Sequence, residues 1–528
     1  MYLLNITNID YVMMTILFGA IFASAYYFRR KNRSSNDFLL GASTNWITYF
    51  SGAIGFGIIE FILLSSYGAY AGLSGLLLFI LIYIISEFIF AGKLRGSNLF
   101  SLLKDGRFDS GSVVIITAYA IIMLLVAGTG IAIMVSMLKS LLGWEFANST
   151  LSLIAIAAVC LILGGYAGLA YSKVLASAIQ LLLLFVVIVI SYKNIGFGNL
   201  LTNLQSVATD NKLATNVFTS IPAMPNLGLQ IWLLIIGSLV FVVINPFAYV
   251  KRNLNQNVGL SFTTKTIRLA LVLIVILSGI FALATPYKLP EISGKKIITT
   301  QTRFDNGELG YVVRAVPGSA ATLQRGIIPV KAAEDDDQTL NNSAQGNFDY
   351  ISAALVVVKK ALPFAFVPLF IIVLFFFKSV SDSVLFATLA IINGMYAPKF
   401  NKSGEDLENL WAARVFMFAL FVIAICIGLV LFKFFSFYYM FALIVISAMP
   451  IACSLLINKS SNWLIDAIIY ILIIFLLLVA DVPGAPSLLP LIKYANLSDM
   501  VAKVTLSIGV IYFLLRFISG LLVKKIND

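Results

Sequence analysis

The chain has 528 residues, of which 60% are hydrophobic and only 11% are charged. Soluble domains contain about 45–50% apolar and about 25% charged residues. So much apolar surface cannot be buried in one water-soluble core, which argues against a soluble enzyme, a nucleic-acid-binding protein and a disordered chain. The net charge is +12, and the chain contains no histidine. The absence of histidine excludes His-based proton relays, His metal ligands and a Ser-His-Asp triad.

Apolar segments dominate the chain and predict an all-α polytopic membrane protein. Each is long enough to cross a bilayer, where a helix satisfies its own backbone groups. There are thirteen of them, at residues 11–28, 46–70, 72–91, 111–139, 151–171, 174–192, 229–249, 269–287, 363–395, 411–434, 436–457, 463–480 and 501–522.

Basic residues between these segments predict the orientation of the chain. If the chain has thirteen helices, the basic residues given in the next sentence all lie on one side of the membrane, which is then the cytoplasmic side. They are Arg29, Arg30, Lys31, Arg33, Lys93, Arg95, Lys104, Arg107, Lys251, Arg252, Lys265, Arg268, Lys399, Lys402, Lys459, Lys524 and Lys525. The N-terminus is therefore expected outside and the C-terminus inside. Two longer polar stretches, 193–228 and 288–350, are expected to be extracellular loops.

The second apolar segment contains a cluster of glycines at Gly52, Gly55 and Gly57. Glycine weakens a helix by about 1 kcal/mol relative to alanine. The cluster predicts either a broken helix whose free carbonyls face a cation or solute, or close packing between helices through small residues. Asn245-Pro246 in the seventh segment predicts a second bend, because proline removes a helical hydrogen bond.

Several short blocks resemble the conserved blocks of sodium:solute symporters. They are Asp37–Gly41, Gly68–Leu73, Gly164–Gly168 leading to Gln180, Tyr249–Leu254, and Ala361–Pro363 leading to Tyr396. No block is specific alone, but their order agrees with the family over about residues 8–460.

The resemblance implies the leucine-transporter fold, an inverted repeat of five plus five helices. The first helix and its cytoplasmic loop would then cover 1–45, the first repeat 46–192 and an extracellular loop 193–228. The second repeat would cover 229–457, including the loop 288–350, and two C-terminal helices would cover 458–528. In this fold, solute and cation bind near the bilayer midplane beside the broken helices.

The resemblance also implies a cation site, and here the chain departs from the family. Two carbonyls would come from Ala53 and Phe56, or from Gly55 and Ile58 with a two-residue shift. The family's acid on the sixth helix would be replaced by Lys173 in an ungapped match or by Ser177 in a gapped one. The hydroxyl pair would fall at Lys378-Ser379, followed by Ser381 and Asp382.

A lysine in a membrane segment is costly and usually faces the protein interior with a partner. Lys378 lies four residues before Asp382, on the same helical face. A paired ammonium could fill the cation site permanently, a desolvated lysine could carry a proton, or the pair could be structural. We expect sodium to be weakly coupled or not coupled to transport.

Glu60 lies in the middle of the second segment, where an acid is a functional candidate. It could bind a solute amine, take up a proton, pair with Lys378, or be a hydrogen-bonded structural acid. The expected solute site comprises Glu60, Gly57, Tyr67 and Asn245. Asp466, nearer the end of its segment, is interpreted as interfacial.

Together these features predict a secondary active transporter for a small polar organic solute in the plasma membrane of a bacterium. Alternatives are a proton-coupled or uncoupled exchanger or uniporter of the same fold, a membrane-embedded enzyme, or a solute sensor that does not transport. An enzyme is not expected. No cofactor is expected beyond Na⁺ or H⁺ as coupling ion, and no metal beyond a sodium site. The expected partners are the solute and the lipid bilayer, with no nucleic acid, and the monomer is expected to function alone.

Overall fold

The computed structural model describes eighteen stretches of the chain. They are residues 6–30, 32–40, 57–94, 112–142, 151–210, 215–224, 227–245, 262–284, 286–288, 295–303, 309–317, 323–325, 366–400, 406–434, 437–457, 463–481, 491–493 and 497–527.

Helices make up most of the described residues. They are α1 (Asn8–Arg29), α2 (Ser35–Leu40), α3 (Ile58–Leu94), α4 (Ser112–Leu142), α5 (Leu151–Ile195), α6 (Phe197–Asp210), α7 (Leu227–Ile244), α8 (Phe262–Ala284), α9 (Phe366–Ile391), α10 (Asp406–Phe434), α11 (Phe437–Ile457), α12 (Trp463–Val479) and α13 (Leu497–Asn527). A 3₁₀ turn at Ile221–Ala223 precedes α7, and a π-helical turn at Ile392–Tyr396 with a last turn at Ala397–Lys399 extends α9.

Short strands occupy the connection between α8 and α9. They are β1 (Pro286–Lys288), β2 (Lys295–Arg303), β3 (Leu309–Pro317) and β4 (Leu323–Arg325), paired antiparallel as β1 with β4 and β2 with β3. The expected loop 288–350 therefore contains regular structure. Strand β2 is rich in isoleucine and threonine and β3 in valine, residue types that favour strands. A further parallel pair, β5 (Ala480–Asp481) and β6 (Ile492–Lys493), follows α12.

Seven helices within the described residues are long and apolar enough to cross a membrane, or eight if a bent pair formed by the end of α5 and α6 is one span. Four shorter apolar helices accompany them, at Leu153–Tyr166, Leu227–Phe241, Tyr439–Ser454 and Leu464–Val479. The chain is therefore a multi-pass membrane protein.

Two long helices are interrupted by one non-helical glycine each. Gly72 in α3 has φ 62° and ψ −150°, and Gly165 in α5 has φ 56° and ψ −155°. Positive φ is readily available only to glycine. The break at Gly72 confirms the predicted boundary between the second and third segments. The boundary predicted between residues 171 and 174 is wrong, because the helix continues through them and is interrupted at Gly165 instead.

The polarity of the stretch 193–228 predicts a loop. The structure instead contains α6 and the 3₁₀ turn there. Leu200, Leu204 and Ala208 lie four residues apart and are buried, so α6 packs one apolar face on the protein. Beyond α6, the Phe218 carbonyl accepts a hydrogen bond from the Ser74 N–H at 3.1 Å. This stretch is thus attached to α3 beside its break.

Helix α9 lies at the centre of the molecule. It packs against α4 on one side and also contacts α1, α3, α5 and α10. Every residue of α9 from 369 to 390 whose side chain is described is buried. The polar residues in its middle are therefore enclosed by other helices instead of facing lipid.

Candidate functional site

A small polar cavity lies where the start of α3, the end of α7, α4 and the middle of α9 meet. It is lined by Gly57, Glu60, Val126, Ile244, Asn245, Lys378, Ser379, Asp382 and Ser383. Its volume is about 10 Å³, which is room for about one water molecule.

Glu60 connects the ends of two helices through its carboxylate. It lies in the first turn of α3, directly after Gly57, whose carbonyl accepts the Phe61 N–H at 3.0 Å. The Gly57 N–H donates to Glu60 Oε2 at 2.9 Å, and Asn245 Nδ2, just beyond α7, donates to Glu60 Oε1 at 3.2 Å. The first bond is half of a capping box, in which an acid in the first turn binds the N–H at the helix start. The second bond joins the start of α3 to the end of α7.

Helix α9 contributes a charged face to the cavity. Lys378, Ser379, Asp382 and Ser383 follow the spacing that places side chains on one side of a helix, and all four are buried. The Lys378 ammonium acts electrostatically on Glu60 across the cavity. The site therefore brings two acids and one lysine together in a buried space.

Close packing fixes the distance between α3 and α9. A Cβ added to Gly57 would lie 2.6 Å from Ser379 Cβ, so the backbone of α3 approaches α9 as closely as glycine allows. One turn further on, the rings of Phe61 and Phe375 stack with centroids 4.8 Å apart. On the other side, Gly130 of α4 would place a Cβ 3.1 Å from Val380 Cγ2. These contacts hold the polar residues together.

The structure brings six of the predicted site residues to the cavity. They are Gly57, Glu60, Asn245, Lys378, Ser379 and Asp382. Their roles in binding solute or cation stay predictions.

Two other predicted residues do not line this cavity. Tyr67 packs in a separate apolar cluster with Ala71 and Leu78, because it lies about two turns beyond Glu60 on α3. Ser381 is fully buried in α9 but belongs to another side of the helix, since successive residues differ by about 100°.

Other predictions lie outside the described residues. Ala53, Phe56 and the alternative Gly55 are not described, so the expected carbonyl ligands are not placed. The alternative Ile58 is the first residue of α3 and is buried. Lys173 lies within α5, but its side chain is outside the described set. Only one side of each expected break is described, with α3 beginning after Gly57 and α7 ending before Asn245.

Three lining residues are additional to the predicted site. Ser383 lies on the same helical face as Ser379, and its hydroxyl donates a hydrogen bond to the Ser379 carbonyl at 2.8 Å. The spacing of Ser379, Asp382 and Ser383 could have indicated it. Val126 and Ile244 are ordinary apolar helix residues, and nothing in the sequence distinguishes them from their neighbours.

No family model and no curated protein matches the sequence. Among solved structures, the chain is similar to a Na⁺-coupled sialic acid symporter in a substrate-bound outward-open state, with 12% identity, a TM-score of 0.59, and coverage of 96% of this chain and 98% of that chain. It also matches a nucleobase-cation-symport-1 family transporter in a closed conformation with bromovinylhydantoin bound. That match has 12% identity, a TM-score of 0.39, and coverage of 95% of this chain and 92% of that chain, and carries no structural argument. The first similarity, over nearly the whole of both chains, confirms the predicted leucine-transporter fold.

Proposed function

We propose that this protein is a secondary active transporter that moves a small polar organic solute by alternating access. The observation that carries the proposal is the buried polar cavity between the helix ends at Gly57 and Asn245. In leucine-transporter-like folds, discontinuous helices form the solute and ion sites near the midplane. The sialic acid symporter, to which the chain is similar over nearly its whole length, is a transporter.

We further propose that sodium does not drive this transport, although the sialic acid symporter is Na⁺-coupled. Lys378 stands where the resemblance predicts a hydroxyl ligand of sodium, and it lines the same cavity as Glu60. A sodium ion about 4 Å from an ammonium would be repelled by roughly 4 kcal/mol at an effective dielectric of 20. That energy corresponds to about a thousandfold in affinity.

Two forms of sodium-independent transport are consistent with this site. In the first, the lysine acts as a fixed cation and the carrier is an uncoupled exchanger or uniporter. In the second, a proton couples transport, which the presence of Glu60 and Asp382 beside Lys378 favours. The proposed setting is the inner membrane of a bacterium, with the N-terminus outside, the C-terminus in the cytoplasm and a functional monomer.

The test is uptake by the purified full chain in liposomes. Labelled amino acids, sugars, carboxylates and vitamins are offered with an inward sodium gradient, a proton gradient or no gradient, beside protein-free liposomes. We expect uptake of at least one solute that a sodium gradient does not raise. Saturable stimulation by sodium, with lithium and potassium inactive at equal ionic strength, would overturn sodium independence. The absence of uptake for every solute would overturn the transporter itself.

A further inference from the structure

We propose that the transported solute carries a protonated amine and that the Glu60 carboxylate is its receptor. This inference rests on the proposed transport function and narrows it to one chemical class of solute. The argument depends on the charges around the cavity and on the hydrogen bonds of Glu60.

The described lining of the cavity contains more acid than base. Its charged residues are Glu60, Asp382 and Lys378, and its other members are neutral. Lys378 lies one helical turn from Asp382 on α9 and also acts electrostatically on Glu60, so one ammonium serves two acids. It offsets at most one of the two negative charges, and the other needs a cation from elsewhere, because a buried charge is retained only when it is paired.

The hydrogen bonds of Glu60 orient its carboxylate without neutralising it. The carboxylate accepts hydrogen bonds from neutral groups, the Gly57 N–H on Oε2, the Asn245 amide on Oε1 and the N–H of Glu60 itself. A carboxylate has about four acceptor positions, so about one remains. An ammonium has three N–H donors and forms charge-assisted hydrogen bonds, which are roughly twice as strong as neutral ones. An anionic solute would instead meet a net negative lining.

Helix capping alone does not explain this arrangement. A capping role accounts for the bond from Gly57, which lies at the start of α3. It does not account for Asn245, which is 185 residues further along the chain and directly follows another helix, α7. The second donor holds the carboxylate between the start of α3 and the end of α7, so a solute amine bound to it would lie between these two helix ends.

The test measures solute charge preference with matched probes. For leucine, valine and phenylalanine, the free amino acid, the amino acid amide and the N-acetyl amino acid are compared. The amide keeps the amine and removes the carboxylate, whereas the N-acetyl form does the reverse. Binding to the purified full chain is measured by the rise in thermal unfolding midpoint, and transport by competition with uptake in liposomes. We expect the amine-bearing forms to bind and compete and the N-acetyl forms to be inactive.

Two variants assign the preference to Glu60. Glu60→Gln keeps the shape but removes the charge, and we expect amine binding to weaken at least tenfold. Glu408→Gln is the matched control, because Glu408 is an exposed acid on α10 whose carboxylate binds the Tyr396 hydroxyl. It should leave binding unchanged. The charge preference of the unmodified chain decides the question even where Glu60→Gln does not fold.

The outcomes separate this inference from the transport function. Preference for N-acetyl or neutral probes, or amine binding that Glu60→Gln leaves unchanged, would overturn the amine receptor while transport still stands. If no solute of any class binds or is transported, the transport function itself fails.

Discussion

Lys378 is the residue on which the proposed sodium independence rests. Replacing it in Lys378→Ser would restore a hydroxyl beside Ser379 and remove the repulsion between the ammonium and a metal ion. We expect uptake by this variant to gain a saturable dependence on sodium. The measurement is uptake in liposomes against sodium, lithium and potassium at equal ionic strength.

Lys399→Ser is the matched control for this prediction. Lys399 is an exposed residue in the last turn after α9, so its removal should not create a sodium dependence. If Lys378→Ser folds and transports without any response to sodium, Lys378 does not occupy the cation position.

Gly57 is the second residue whose role can be measured directly. An added Cβ would lie 2.6 Å from Ser379 Cβ and 2.7 Å from Ser379 Oγ, distances that force α3 and α9 apart. We therefore expect Gly57→Ala to lower the uptake rate at least several-fold, because the cavity cannot contract. The double variant Gly57→Ala/Ser379→Gly removes the opposing Cβ and should recover part of the rate.

Gly19→Ala provides the comparison for Gly57→Ala. Gly19 lies in α1, where an added Cβ meets no atom within 4 Å, and alanine favours a helix by about 1 kcal/mol over glycine. This variant should fold and transport normally. Equal uptake by Gly57→Ala and the unmodified chain would show that the contact with Ser379 does not limit the cycle.

At the scale of elements, the breaks in α3 and α5 combine a backbone requirement with a packing requirement. A Cβ on Gly72 would lie 2.7 Å from Phe218 Cβ, and one on Gly165 would lie 2.5 Å from the Phe38 carbonyl oxygen. Gly196 has φ +72° but meets only Asn199 Nδ2 at 3.9 Å. A residue with a Cβ would be strained by the positive φ at all three positions. It would also collide with a neighbouring residue at Gly72 and Gly165, but not at Gly196.

Alanine substitutions can separate these two requirements. The left-handed conformation costs roughly 1–2 kcal/mol for a residue with a Cβ, which Gly196→Ala should show alone. Gly72→Ala and Gly165→Ala should lower the thermal unfolding midpoint further and reduce the folded yield. Equal losses for all three variants would mean that the neighbouring segments move aside at little cost.

The α5 break also explains how α1 docks. Asn32 Nδ2 donates to the Gly164 carbonyl at 2.8 Å, and Ser24 Oγ donates to the Gly168 carbonyl at 2.7 Å. A broken helix leaves carbonyls without partners, and in a membrane they must be satisfied by other protein groups. The first helix and the residues that follow it therefore do more than anchor the chain, since Ser24 and Asn32 supply donors beside the break.

Sequence alone could predict the elements better than the contacts between them. Hydropathy places the apolar segments and the boundary near Gly72, because hydropathy is a local signal. It does not indicate the break at Gly165, because the polar residues near Lys173 lower the hydropathy more than the glycine does. The hydrogen bond from Asn245 to Glu60 is not predictable from the sequence, because it joins distant residues through tertiary packing. Ser381 is fully buried on another side of α9, and composition does not fix which side of that helix lines the cavity.

At the scale of the whole molecule, the two C-terminal helices are joined by a buried polar group. Asp466 is only 2% exposed, so its side chain is enclosed by protein, and its expected depth at the membrane interface stays a prediction. Its Oδ1 accepts the Tyr512 hydroxyl at 3.1 Å, and that hydroxyl accepts a hydrogen bond from Arg516 Nη2 at 3.3 Å. The chain Asp466–Tyr512–Arg516 thus connects α12 with α13.

Removing one member of this group should destabilise the molecule. Leaving one partner of a buried hydrogen bond unsatisfied costs about 1–3 kcal/mol, more for a charged group, whereas replacing both partners with apolar groups of the same shape can be nearly neutral. We expect Asp466→Ala to lower the thermal unfolding midpoint and Asp466→Leu/Tyr512→Phe to recover it. Transport per folded molecule should stay unchanged in both. A loss of transport without a loss of stability would instead place these helices in the transport cycle.

The lysine in the described lining of the cavity has a consequence for the kinetics of the proposed transport cycle. Lys378 lies beside Glu60 and Asp382, so part of their negative charge is offset whether or not a solute is bound, and we expect the unloaded transporter to change conformation. Of the two uncoupled forms proposed above, this favours the uniporter over the obligatory exchanger. Efflux from preloaded liposomes into solute-free buffer should then be about as fast as efflux into buffer containing the solute. Much faster efflux into buffer that contains the solute would contradict this prediction. In Lys378→Ala we expect such a difference, because the unloaded transporter without the lysine would change conformation slowly.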